Sequence, residues 1–307
     1  MFLGVDTSMD VGLRGPCHLF GHPTDELLTK IDSELSQWDS HSAQKVTKVV
    51  FGHYPMSFTA STLKKERLEL LLAKHSISAY ICGHLHTIFG RNLVKHHVYP
   101  HSKLTSRDGE FWEWEMGDWR TSRMIRVIAI DQGHTSYSDF DLSNLNGSHE
   151  DSKTWLPTLV IPTYPLDSQK MNHLRPPSSS LTLNSIRALV LSNQPLISVT
   201  ARMFDTLNGE MLLLEEMNMH VLSKAGETAY MYVSEWNGGK YIDPSGTRYA
   251  YQISVVDSSG IYTNISLRPF SINQRVGELK KTWKEFIVMD IVFEHAYIFL
   301  LCLAFTI

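Results

Sequence analysis

Cysteine is scarce in this chain: three in 307 residues, Cys17, Cys82 and Cys302, set far apart. They cannot build a disulfide framework, and a single Cys17–Cys82 bridge is the pairing left open. Charge of one sign is scarce too. Twenty-eight Lys and Arg stand against 32 Asp and Glu, for a net charge of −4 and no basic block. A duplex nucleic-acid binder needs a basic face to displace counterions, so no nucleic-acid partner is expected. Gly-x-Ser-x-Gly, Gly-x-Gly-x-x-Gly, the phosphate-binding P-loop and His-Glu-x-x-His are all missing, which sets aside serine hydrolase, dinucleotide enzyme, P-loop NTPase and helix-borne zinc protease. The amino end has no basic stretch followed by an apolar run of signal-peptide length, and it reads as a strand.

Long apolar runs are confined to the carboxyl end. Phe286 to Ile307 is broken only by Asp290, Glu294, His295 and Thr306, and it follows the basic stretch Lys280-Lys-Thr-Trp-Lys284. A membrane helix takes about 20 apolar residues, and only Ala296 to Ile307 is free of charge. The basic flank suits a membrane interface. Residues 276–307 are therefore read as the onset of a membrane segment, with a buried terminal helix as the alternative.

The length suggests about two domains with ample core. In the first part, strands and helices alternate. Thr24 can cap a helix in which Leu27, Leu28, Ile31, Leu35 and Trp38 recur at helical spacing. The strand Val46–Phe51, a helix over Leu63–Lys74 and the strand Ser78–Cys82 make a β-α-β unit, whose strands should be parallel. Glu110–Glu115 and Met124–Ile130 read as antiparallel strands. Pro- and Ser-rich punctuation between Ser143 and Ser180 resembles a domain boundary. Beyond it, Ile197, Val199, Ala201 and Met203 alternate with polar residues, as do Tyr251, Ile253 and Val255, the pattern of a small β-sandwich. The expected organisation is 1–145, a linker 146–181, a sandwich 182–275 and the terminal segment 276–307.

The chemistry-bearing residues sit where the two parallel strands end. Phe51-Gly-His-Tyr-Pro55 closes the first and Cys82-Gly-His-Leu-His86 the second. Ligands of open α/β sheets bind outside the carboxyl edge of the strands, so His53, His84 and His86 are expected to converge there. A preceding glycine lets the backbone turn sharply. Neutral imidazole is a good ligand for Zn, Mn or Fe, and His-x-His with a third His offers three nitrogens. Either turn alone is no more than a strand end with a solvated His; two on one edge favour a metal. His96, His97 and His101 are read as surface residues, Asp39-Ser-His41 as a loop coincidence, Asp118 as a turn residue, and Trp112, Trp114 and Trp119 as core. Asn146-Gly-Ser148 and Asn264-Ile-Ser266 are glycosylation acceptor patterns, which places the globular part on a lumenal or extracellular side.

With Gly52-His53 and Gly83-His84-Leu85-His86, followed by Gly117-Asp-Trp119 and Arg126–Asp131, the chain resembles the carboxyl-terminal half of a calcineurin-like metallophosphoesterase. The resemblance implies a fold: an α/β, partial metallophosphoesterase α/β/β/α sandwich, then an all-β immunoglobulin-like sandwich and a terminal hydrophobic helix. It also implies a function, membrane-associated hydrolysis of phosphate esters at two divalent ions (Mn, Fe or Zn), with His53 and His84 on one ion and His86 on the other. Such a pair shares a hydroxide that attacks phosphorus while the cations neutralise developing charge. The family's Asp-x-His, Gly-Asp-x-x-Asp and Gly-Asn-His-Asp/Glu segments have no counterpart here. The expectation is therefore a truncated form with weak metal binding and little or no activity alone. A non-catalytic interaction module at a membrane, with a degenerate phosphoesterase scaffold, is the alternative, and a structural mono-zinc site at the three His is a third reading.

Overall fold

Four short strands run side by side in the same direction: Phe2–Gly4 (β1), Val49–Phe51 (β2), Ala79–Cys82 (β3) and, after the antiparallel edge strand Val94–Val98 (β4), Glu110–Glu115 (β5). The sheet order is β1-β2-β3-β5-β4. The computed structural model that shows this describes residues 1–8, 20–41, 46–99, 109–120, 122–143, 157–170, 184–272 and 275–291. The chain divides into two units, Met1–Arg123 with Lys280–Ile307, and Met124–Leu279.

In the first unit, registers Gly4↔Phe51, Phe51↔Ile81 and Ile81↔Trp114 bring the carboxyl ends of all four parallel strands to one edge. The helix Asp25–His41 (α1) starts where Thr24 Oγ1 accepts from Leu27 N at 3.0 Å, and Asp25 and Glu26 face the positive end of its dipole. Its apolar stripe packs as the spacing demands: Leu28, Ile31 and Leu35 are buried. Trp38 stays half outside, its Nε1 donating to Glu34 Oε1 one turn back at 2.9 Å. The second helix, Leu68–Lys74 (α2), begins five residues later than the sequence suggests. Leu63 is 98% exposed and Lys65 has φ +65, so 62–67 is a turn, while Leu68 and Leu72 enter the core with Val50, Ile77, Tyr80 and Phe111.

In the second unit every pair of described strands is antiparallel. Met124–Asp131 (β6) and His134–Asp141 (β7) form a hairpin whose turn residues Gln132 and Gly133 both have positive φ, the geometry that matches strand twist. Leu159–Tyr164 (β8), Ser185–Leu191 (β9), Leu196–Asp205 (β10), Leu212–Asn218 (β11), His220–Lys224 (β12), Ala229–Glu235 (β13), Tyr249–Asp257 (β14), Tyr262–Asn264 (β15) and Arg268–Pro269 (β16) supply two more sheets. Their orders are β12-β13-β9-β8 and β11-β10-β14-β15, with β16 also on β14. Alternation works as read for Val199, Ala201, Met203, Tyr251, Ile253 and Val255, all buried, but Ile197 is exposed because a bulge between Leu196 and Ser198 shifts the register. Asp131 ties the hairpin to this unit through a bidentate pair with Arg187 at 2.7 and 2.9 Å.

The expected fold class is corrected in two respects. Sixteen strands against three α-helices make the described residues mostly β, because from β4 onward the connections are hairpins and edge turns in place of crossover helices. The terminal hydrophobic helix is also not found. The last described helix, Trp283–Asp290 (α3), has eight residues and ends at Asp290. Among the described residues no helix is long and apolar enough to cross a membrane; 292–307 lie outside them. Glu110–Glu115 is antiparallel only to β4 and parallel to β3.

Candidate functional site

Backbone bonds carry the parallel ladder past the strand ends: Val5 N to Phe51 O at 2.8 Å, Gly52 N to Ile81 O at 3.0 Å, Gly83 N to His53 O at 3.1 Å and Met116 N to Cys82 O at 3.0 Å. The turns that follow are thus fixed to one another. His53 Nε2 and His84 Nδ1 come within 3.1 Å, their rings 5.0 Å apart and nearly perpendicular. Tyr54 and Phe58 line the same place, with ring centroids 4.8 and 5.6 Å from His84. The Gly52 position is needed for close approach: a Cβ there would collide with the Tyr80 hydroxyl, which donates to Tyr54 O at 2.8 Å. At Gly83 a Cβ would only touch Met116. The unusual backbone falls instead on His86, at φ +55, a conformation costing about 1–2 kcal/mol in a residue with a side chain.

Two acidic residues hold that turn. Glu115 Oε1 accepts from Leu85 N at 2.6 Å and His86 N at 3.0 Å. Burial pushes its carboxyl up to about 7, against the opposing hydrogen bonds from Cys82 and from the amides of His86 and Leu85. Asp118 Oδ2 lies 3.1 Å from His86 Nδ1, while its Oδ1 accepts from Ser122 N at 3.0 Å. A carboxylate on one ring nitrogen orients the imidazole and leaves the other available. His53 is shifted below the usual histidine value, first by burial and then by the nearby His86, so it is poised as a neutral imidazole. Asp6, just past β1, reaches the same edge; Ser8 Oγ and N hold it ionised with bonds of 2.6 and 2.8 Å.

Two nitrogens on one ion at about 2.0–2.1 Å stand about 2.9–3.4 Å apart, so His53 and His84 have the spacing of neighbouring ligands. His86 is turned to Asp118, and among the described residues no group of three or more His, Cys, Asp and Glu is assembled to hold a metal. The described donors thus fall short of a complete divalent site.

Several residues play other parts than the sequence suggests. His97 is buried, stacked on Phe111, with Nε2 at 2.6 Å from Glu113 Oε2; His96 stacks on Trp112 and reaches Glu110 at 3.0 Å. Asp39 lies within α1 and bonds Lys48 Nζ at 2.6 Å and His75 Nδ1 at 3.0 Å. Trp112 and Trp114 are core, but Trp119 is exposed beneath Arg123. Asn264 is exposed at the end of β15; Asn146, His101, Cys17 and Cys302 lie outside the described residues, and Cys82 is a buried thiol. Glu115 and Asp118 were the functional neighbours that spacing did not reveal. Their signal was position: Glu115 is the last residue of the strand beside Ala79–Cys82, and Asp118 lies three residues beyond it.

The chain is 40% identical over 94% of its length to an Arabidopsis thaliana protein named as a metallophosphoesterase, and residues 154–276 match the family model of the TMEM62 Ig-like domain. The chain belongs to the metallophosphoesterase family. Its likeness to transmembrane protein 62 of Mus musculus is 25% identity over 84% of the chain. This metallophosphoesterase-family chain spans 42% of the plant relative and 34% of the mouse one.

Proposed function

We propose that this chain supplies the histidine side of a metal-dependent phosphoesterase site, with His53 and His84 on one divalent ion (Mn, Fe or Zn) and His86 directed at a second. The observation that carries the reading is the 3.1 Å approach of His53 Nε2 to His84 Nδ1 on the carboxyl edge of the sheet. The remaining donors come from elsewhere in the whole protein, and its substrate is a phosphate ester. By itself the chain binds metal weakly and turns over little or no substrate. Membrane association and a lumenal or extracellular globular part, glycosylated at Asn264 or Asn146, complete the proposal; the name of the mouse relative supports the membrane part. No nucleic-acid partner is proposed, in keeping with the net charge of −4.

Metal analysis after dialysis against Mn²⁺ or Zn²⁺ tests the reading. Substoichiometric metal lost in both His53→Ala and His84→Ala is expected, with aryl phosphate hydrolysis near background. Retention of the metal in both variants would sink it. A second reading, a non-catalytic interaction module, draws on the exposed leucines 212–214 and 222 on two edge strands of the sandwich. A folded protein that takes up no metal favours that module.

A further inference from the structure

We infer that α3, through Glu285, positions the His84-Leu85-His86 turn from behind. The inference rests on the reading of these histidines as the working side chains and concerns only their placement.

The helix opens with a capping box: Thr282 Oγ1 accepts from Glu285 N at 3.3 Å, and Glu285 Oε2 accepts from Thr282 N at 2.7 Å. A cap of this kind uses one carboxylate oxygen. The other, Oε1, accepts from Arg91 N at 3.0 Å and Asn92 N at 2.9 Å, in the segment that leaves His86. Gly90 makes the approach possible. Its φ is +146, and a Cβ there would fall onto the Glu285 carboxylate. Glu285 is buried, and although burial opposes its ionisation, the amides of Asn92, Thr282 and Arg91 hold its carboxyl below the usual range.

The far end of α3 is held as well. Ser57 Oγ donates to Val288 O at 2.5 Å and Lys95 Nζ to Met289 O at 3.0 Å, which satisfies carbonyls that a helix end leaves open. Between the two ends, Val288 and Met289 pack with Leu85 and Leu93, and Phe58 rests against this cluster. Leu85 is the middle residue of the turn, and Phe58 is one of the rings that meet His84. Glu115 holds the turn by its backbone; α3 supplies the apolar wall against which Leu85 is set. With that wall displaced, the left-handed His86 relies on the Glu115 bond to its amide.

Isotope-labelled full chain and two variants test this by NMR. Glu285→Gln replaces an acceptor oxygen with a donor, and Ser57→Ala removes the bond at the opposite end of the helix. In Glu285→Gln, amide exchange is expected to speed up by about tenfold at Leu85 and His86 as well as at Arg91 and Asn92, while Val49 and Val50 keep their rates. The cross-peak between the His84 and Phe58 rings should weaken together with this. Ser57→Ala should move the same signals in the same direction, to a smaller extent. Acceleration confined to Arg91 and Asn92 with the ring contact intact overturns the inference. So does a Glu285→Gln chain that fails to fold while Ser57→Ala moves none of the signals. The readout contains neither metal nor phosphate, so the metal reading and this one can fail separately.

Discussion

Glu113 has no exposed surface, yet three groups depend on it. Its Oε1 accepts from Met56 N at 2.7 Å and faces the Cys82 thiol at 3.7 Å; its Oε2 lies 2.6 Å from His97 Nε2. Met56 opens the short turn Met56–Phe58 that carries the Phe58 ring to His84, so one buried carboxylate supports the floor of the site. Glutamine at this position keeps the shape, but its NH2 meets one of the donors and the charge is gone. Breaking a buried charged contact on one side costs about 3 kcal/mol, most of it from the partners left behind. Glu113→Gln should therefore lower the urea midpoint with the slope unchanged, the drop multiplied by the slope amounting to about 3 kcal/mol. A loss below about 1 kcal/mol, the worth of an ordinary neutral hydrogen bond, would show that the carboxylate is not the organising group.

Among the elements, α1 is fastened to α2 and β2 by charge as much as by its leucines. Asp32 bonds His75 Nε2 at 2.6 Å and Lys74 Nζ at 2.9 Å, and Asp39 bonds His75 Nδ1 and Lys48 Nζ. Hydrogen bonds from His75 and then Lys74 hold Asp32 below the ordinary aspartate value. For Asp39 burial works the other way, but the bonds from Lys48 and His75 outweigh it. A lowered folded-state value means that this stabilisation is present above the unfolded pKa, near 4, and is lost as pH falls through the folded one. The midpoint of thermal unfolding should accordingly fall on acidification below about pH 4. The Asp32→Asn/Asp39→Asn double variant, less stable at neutral pH, should show a shallower acid slope; an equal slope in both proteins would assign acid lability to other groups. The contrast within α1 shows what the sequence made legible. Leu28, Ile31 and Leu35 declare themselves by period, and Gly-His and Gly-His-x-His by their place after parallel strands. Asp39, His75, His97 and Glu113 do not, because each is defined by a residue of another element. Asp118 reaches His86 only because β5 lies parallel beside β3, and that follows from β4 taking the outer edge, a choice no local spacing encodes.

For the whole molecule, the chain combines a mostly parallel sheet with a sandwich that exposes leucines on two of its edge strands. On β11, Leu212, Leu213 and Leu214 are 62, 48 and 43% exposed, and on β12 Val221 and Leu222 are about half exposed. Among the described residues each strand ends its own sheet, β11 beyond β10 and β12 beyond β13, so apolar side chains adjoin a backbone edge with no described strand on its outer side. Proteins guard such edges with charge, proline or bulges. Here the guards are Glu215, Glu216 and Lys224, together with the bulges in β11 pairing near Met203 and in β12 near Val221. Three consecutive exposed leucines exceed what two carboxylates next to them can offset, since alternation points some of them away from the charged face. Weight-average mass by sedimentation is therefore expected to rise with protein concentration. Leu214→Lys combined with Leu222→Lys should return it to the monomer value, while each exposed substitution changes stability by no more than about 0.5 kcal/mol. A wild-type chain that stays monomeric throughout would show that the edge charges already suffice, and it would remove the principal support for reading this sandwich as an interaction module.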